Sequence, residues 1–201
     1  TKIKSWRRRD VIKDYRFYIV SLNMLAMPWM ATGIFVYQSF ITESKMWAVY
    51  TIPKAFMVYS VTSIITLFLS GFLVDKFTGR KLILYMNLPL LLAMMVLFRF
   101  NHEIFAYIFL GLIGVSNSLA NILGSSTWAE IYGVKYIGSI KALTTAFMVF
   151  STAFGTAVFG LLIDNGFTIE NIAFVGGIYI VISLALLIIF RKTIEPVRLP
   201  N

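Results

Sequence analysis

Six apolar runs, each about the length needed to cross a lipid bilayer, dominate this chain and leave little room for any other architecture. They lie at about 16–40, 47–74, 82–100, 104–131, 139–163 and 172–190. The hydrocarbon core of a bilayer is about 30 Å thick and takes roughly 20 apolar residues per helix. The linkers 41–46, 75–81, 101–103, 132–138 and 164–171 are short, which forces neighbouring helices to run antiparallel. The runs are too long for barrel strands and do not alternate in polarity. The expected fold class is therefore all-α: a polytopic membrane protein with six transmembrane helices in one bundle, flanked by a basic segment at 1–15 and a tail at 191–201. Composition points the same way. The chain is 59% hydrophobic with a mean hydropathy of +0.81. Only 13% of its residues are charged, where a soluble domain carries about a quarter.

The formal charge of +9 is spread along the chain rather than gathered on a soluble module, so no nucleic-acid partner is expected. Its distribution instead sets an orientation. Fifteen of the 18 Lys and Arg residues fall on the side that holds both termini. They are Lys2, Lys4, Arg7, Arg8, Arg9, Lys13, Arg16, Lys76, Arg80, Lys81, Lys135, Lys141, Arg191, Lys192 and Arg198. The other side has Lys45, Lys54 and Arg99. Both termini are thus expected in the cytoplasm, with Trp47 and Tyr50 at the outer interface and Trp128 and Tyr132 at the inner one. The basic opening segment runs straight into a span of membrane length and the sequence has no initiator Met. The expectation is an internal start within a longer protein, without a signal peptide.

Between the second and third runs, residues 71–81 read GFLVDKFTGRK. Gly71, Leu73, Asp75, Lys76, Gly79, Arg80 and Lys81 resemble the signature loop of the major facilitator superfamily, roughly G-x-L-x-D-[RK]-x-G-[RK]-[RK]. Phe77 and Thr78 stand where that pattern has one residue. The resemblance covers essentially the whole chain and implies the C-terminal six-helix half of a twelve-helix carrier, one half of a major-facilitator fold. Such a half is a three-plus-three inverted repeat. Its partner would be the N-terminal six-helix half of the same carrier. Residues 32–38 (TGIFVYQ), 128–133 (WAEIYG) and 138–164 further resemble bacterial relatives of monocarboxylate and oxalate:formate carriers. Residues 5–17 resemble the amphipathic linker between halves, with Trp6, Val11, Ile12 and Tyr15 dipping inward; a disordered basic tail is the other reading of this segment.

The resemblance also implies a cytoplasmic gate. Asp75 would face the N-terminal end of the fifth span, near 138–142, where the helix dipole and Lys141 attract a carboxylate. Arg80 would grip Glu130 in a two-pronged geometry. These contacts would latch the cytoplasmic side shut. The alternative reading of the charges, favoured for Lys76 and Lys81, is that they only mark topology.

Polar groups inside a membrane are costly, so each is a site hypothesis. Lys54, some seven residues into the second span, either attracts an anionic substrate or snorkels to the outer surface. Pro53 before it would loosen the helix. Pro28 predicts a kink in the first span. Tyr37 and Gln38 are candidate solute contacts, with hydrogen bonding between helices the other reading, and for Asn23 the two readings stand equal. Asn117, Asn121 and Ser125 recur every four residues and share a face, which lines the pathway or bonds a neighbour. Ser151, Gly155, Thr156 and Gly160 read as helix packing. The third and sixth spans read as lipid-facing supports, leaving the first, second, fourth and fifth to line a cavity, as in the family.

Catalysis has little to work with. The lone His102 lies in a linker, there is no Cys, and no metal or nucleotide motif occurs. Neither an enzyme nor a cofactor is expected. The functional expectation is part of a secondary transporter for a small organic solute, with an organic anion such as a monocarboxylate preferred. It would sit among membrane lipid in a bacterial plasma membrane. The rival expectation is a non-transporting six-helix scaffold or partner-binding subunit.

Overall fold

The computed structural model describes residues 4–196. The expectations attached to Lys2, Arg198 and the last residues of the tail lie outside them. Among the described residues nine helices form in order: α1 (Arg8–Ile12), α2 (Tyr15–Val36), α3 (Gln38–Ser44), α4 (Thr51–Phe77), α5 (Gly79–Leu82), α6 (Leu88–Arg99), α7 (Ile104–Tyr132), α8 (Ile137–Asp164) and α9 (Ile169–Ile189). Five of them, α2, α4, α7, α8 and α9, are long and apolar enough to cross a membrane. The apolar α6 is shorter, at 12 residues. The described residues contain helices and no strands. The architecture fits one half of a major-facilitator fold.

Small residues decide which helices pair. A Cβ on Gly155 would overlap the Trp29 carbonyl oxygen, so α8 reaches the backbone of α2 only because Gly155 has no side chain. Ser151 Oγ donates to Leu25 O at 3.2 Å across the same seam. On the other side α4 lies against α7. There Gly111 and Gly114 admit Thr62, whose hydroxyl donates to Gly111 O at 3.0 Å. Ser63 Oγ donates to Gly114 O at 3.1 Å, and Ser118 Oγ to Ser63 O at 2.7 Å. Lipid provides no hydrophobic force between helices, so such close approach and hydrogen bonding do the joining.

Helix limits differ from the apolar runs in three places. The first run breaks at Tyr37, whose backbone leaves helical geometry and starts α3. The third run is not one helix from 82 to 100. After the short α5 the chain turns through 83–87 before α6 begins. This irregular stretch is buried at Ile83, Met86 and Asn87. Asn87 Nδ2 donates to Asn23 O at 2.6 Å and Asn23 Oδ1 at 2.9 Å, while Asn23 Nδ2 donates to Ile83 O at 3.3 Å. Non-helical backbone survives at membrane depth only where protein supplies such partners. Finally, α4 starts at Thr51, so Pro53 falls in its first turn, where backbone N–H groups have no helical acceptor. The expected loosening at Pro53 does not occur, and Lys54 N donates normally to Tyr50 O at 3.1 Å.

The ends of the bundle differ in charge. The end that carries the N-terminal segment, the α4–α5 loop, the α7–α8 loop and the tail is the basic end. There α1 lies against α8 and α2, and its Val11, with the preceding Trp6, joins a core that holds Trp128 and Ile140, leaving Arg7, Arg8 and Arg9 exposed. Ile12 and Tyr15 are exposed on the surface of the bundle. Trp6 N donates to Tyr132 O at 3.0 Å, and the Trp6 ring meets Tyr132 edge-on. Asp14 caps α2 and binds Arg16 at 2.7 Å. Tyr132 Oη donates to Asp14 at 3.1 Å. Arg16 also donates to the Thr193 and Glu195 carbonyls, tying the tail to the same cluster.

At the opposite end Lys45 is 2% exposed. Its ammonium meets Glu170 Oε1 at 2.6 Å and Asn101 Oδ1 at 2.8 Å. Nearby, Trp47 Nε1 donates to Asn101 O and Ala48 N to Glu103 Oε1 at 2.8 Å. The connections after α3 and after α6 and the first turn of α9 are thereby fastened together.

Candidate functional site: a cavity among α2, α7 and α8

A cavity of about 390 Å³ lies between α2, α7 and α8. Its polar lining includes Asn117, Asn121 and Ser125 from α7, with Lys141, Thr144 and Thr145 from α8. Lys141, Thr144 and Thr145 lie in the half of α8 nearer the basic end, and the α7 residues run from its middle at Asn117 toward that end. Phe35, Trp128 and Phe147 supply apolar wall. The four-residue spacing that places Asn117, Asn121 and Ser125 on one side of α7 is what turns them together toward this space. None of their side chains hydrogen-bonds to protein among the described residues, so their donors and acceptors remain open to a solute. Lys141 is the one charged residue in the lining. Sequence reasoning placed it at the gate and missed Thr144 and Thr145. Their spacing after Lys141, by three and four residues, was the available signal for a shared face.

The other predicted pathway residues lie elsewhere. Tyr37 stacks on Phe159 and its hydroxyl donates to Thr156 O at 3.3 Å, which commits it to the α2–α8 seam. Gln38 lines a separate hollow with Thr42, Ile52 and Pro53. Lys54 sits in the first turn of α4, exposed and outside the cavity. It is four residues into its helix rather than seven into a span, because α4 starts later than the apolar run.

The signature loop is compact. Gly79 is buried against α7, and an added Cβ would strike the Ser126 hydroxyl and lie 3.1 Å from Thr127 N. Glu130 accepts the Gly79 N–H at 2.6 Å and the Arg80 N–H at 3.1 Å. It therefore holds the first two amides of α5, where a carboxylate is favoured by unpaired N–H groups. Arg80 Nε is 3.4 Å from Glu130 Oε2. The expected two-pronged side-chain pair is thus replaced by backbone capping with the guanidinium alongside, because α5 begins at Gly79 and points its own amides at Glu130. Asp75 is exposed and makes no hydrogen bond or ion pair among the described residues. Its expected contact with Lys141 and the start of α8 is not formed, since Lys141 stands at the cavity. Thr78, inside the inserted pair, has φ +68° and ψ 143°.

A helical bundle with five spans, a sixth shorter apolar helix and a polar cavity among its members defines a multi-pass membrane protein of transporter type. Residues 18–201 match the Major Facilitator Superfamily, and the chain belongs to that family, whose members are transporters. A comparison with curated proteins finds no match.

Proposed function

We propose that this bundle is one six-helix half of a secondary carrier that moves a small organic solute by alternating access, with an organic anion such as a monocarboxylate preferred. The observation that carries this reading is the cavity lining: one ammonium, Lys141, beside the uncommitted amides of Asn117 and Asn121. In a water-poor site a lone cation attracts a carboxylate strongly, and amide donors fix its orientation. An N-terminal six-helix half of the same carrier would close the cavity from the other side, the two rocking about it. The exposed apolar residues of α4 and α8, among them Met57, Phe68, Val149 and Phe150, suit that neighbour. The Glu130–Arg80 contact, with Asp75 beside it, would serve as the gate at the basic end. By the positive-inside count that end is cytoplasmic in a bacterial plasma membrane. Lys54, at the other end, would meet anions at the entrance rather than at the binding site.

The test is uptake of a labelled monocarboxylate into vesicles bearing the intact carrier. Lys141→Gln is expected to raise KM about tenfold, equivalent to about 1.4 kcal/mol, while Lys54→Gln changes it less. An unaltered KM in Lys141→Gln removes the basis for an anionic substrate.

A further inference from the structure

We propose that the basic end carries a second binding site, separate from the cavity, that takes the phosphate of an anionic phospholipid. A cleft of about 400 Å³ opens between α5 and the stretch after α9. Arg80, Lys81, Arg191 and Lys192 line it against a single carboxylate, Glu195, over an apolar floor that includes Leu84 and Leu187. None of these residues lines the α2–α7–α8 cavity. Two of the cations come from the end of the sequence and two from its middle, so the fold itself gathers them.

The cleft is held in shape. Arg16 donates to the Thr193 and Glu195 carbonyls, and Ile194 is buried, so Arg191 and Lys192 stand on an anchored turn. Arg80 Nε is buried and satisfies no hydrogen-bond geometry among the described residues, its approach to Glu130 being 3.4 Å. Arg80 is engaged with Glu130, so Lys81, Arg191 and Lys192, which make no ion pair among the described residues, leave the cleft with an excess of positive charge that favours an oxyanion such as a phosphodiester.

A lipid, rather than free phosphate, is the source the surroundings favour. The cleft begins where the apolar run of α9 stops at Ile189, the level at which headgroups meet a spanning helix. Ile178, Ile182, Ala185 and Ile189 are exposed on α9 at steps of three and four residues. This stripe leads from the cleft to an almost wholly apolar groove of about 370 Å³ between α6 and α9, lined by Leu91, Phe98, Gly177 and Ile182. A headgroup in the cleft could lay an acyl chain along that path. Basic pockets between spanning helices recognise anionic headgroups by this chemistry.

The experiment is native mass spectrometry of the intact protein, in zwitterionic detergent, after exposure to mixed phosphatidylglycerol and phosphatidylcholine. Loss of charge in Lys81→Gln/Arg191→Gln/Lys192→Gln is expected to lower bound phosphatidylglycerol about tenfold or more, with phosphatidylcholine unaffected. The control Arg8→Gln/Arg9→Gln/Lys13→Gln removes equal charge from the same end outside the cleft and should leave retention near the parent's. Glu195→Gln removes the one acid and should raise retention, which keeps the test alive if the triple variant fails to fold. Equal loss in the control, unchanged retention in the triple variant, or no gain in Glu195→Gln overturns the proposal. Displacement of the lipid by millimolar inorganic phosphate overturns the lipid assignment.

Discussion

Thr78 sits at φ +68° and ψ 143°, a region open essentially to Gly alone, and a β-branched side chain there costs of order 1–3 kcal/mol. Its neighbour Gly79 must stay small to let α5 touch α7. We expect Thr78→Gly to stabilise the bundle by about 1 kcal/mol, read as a higher denaturation midpoint in detergent, and a lower midpoint would refute the strain. The Lys45–Glu170 pair gives an asymmetric expectation. The Lys45 side chain is fully covered whereas that of Glu170 is 35% exposed. Glu170→Gln strands a buried cation and should cost about 3 kcal/mol, whereas Lys45→Met leaves an acid that water can reach and should cost less. The reverse order by denaturation would contradict the geometry. Gly79 and Arg80 were legible because the signature spacing is local, whereas Glu130, 50 residues away from Arg80, was reached only through the family resemblance. The sequence did not reveal that Glu130 holds amides rather than the guanidinium, since that depends on where α5 begins. Lys45 read only as a topology charge, because Glu170 is 125 residues away.

Among the elements, the α2–α8 seam rests on Gly155 meeting the Trp29 backbone. Gly155→Leu must push the helices apart and should cost 3 kcal/mol or more by an overpacking effect of about 1–3 kcal/mol plus lost seam contacts; thermal unfolding in detergent checks it, and a neutral result would mean the seam is loose. The long runs at 104–131 and 139–163 were readable as helices because nothing in them competes with helical geometry. Their small residues, read as packing, do sit in the seams: Ser151 and Gly155 against α2, and Gly160 beside the Tyr37 hydroxyl. The run at 82–100 was misleading. Ile83, Leu84, Tyr85 and Met86 look like helix, but Pro89 in the first turn of α6 has no N–H for the Tyr85 carbonyl and favours a helix start there, while Asn87 bonds Asn23, 64 residues earlier, across the irregular stretch. Periodicity carries no record of such a contact. Nor did the cavity follow from the polar residues alone: Asn117 and Asn121 face it, but Tyr37 is spent on Thr156 and Lys54 lies at a helix start.

For the whole molecule, five of the six expected spans were legible from run lengths, the third run giving only the 12-residue α6, while the pairing of α4 with α7 and of α2 with α8 was not, because it is set by where glycine and serine happen to meet. The orientation can be read directly. The 201-residue sequence has no cysteine, so Thr78→Cys and His102→Cys each place one reporter within it. An impermeant thiol reagent should label His102→Cys from outside intact cells and Thr78→Cys only after the membrane is opened; labelling of both from one side would refute the six-span arrangement.

The knot of Lys45, Asn101 and Glu170 has a mechanical corollary. Because it stitches the connections after α3 and after α6 to the first turn of α9, a pull on any one of these segments is shared by all three. The far rim of this bundle must then swing as a rigid plate, and amide exchange at 45–48, 101–103 and 169–171 should rise in concert once the stitch is cut.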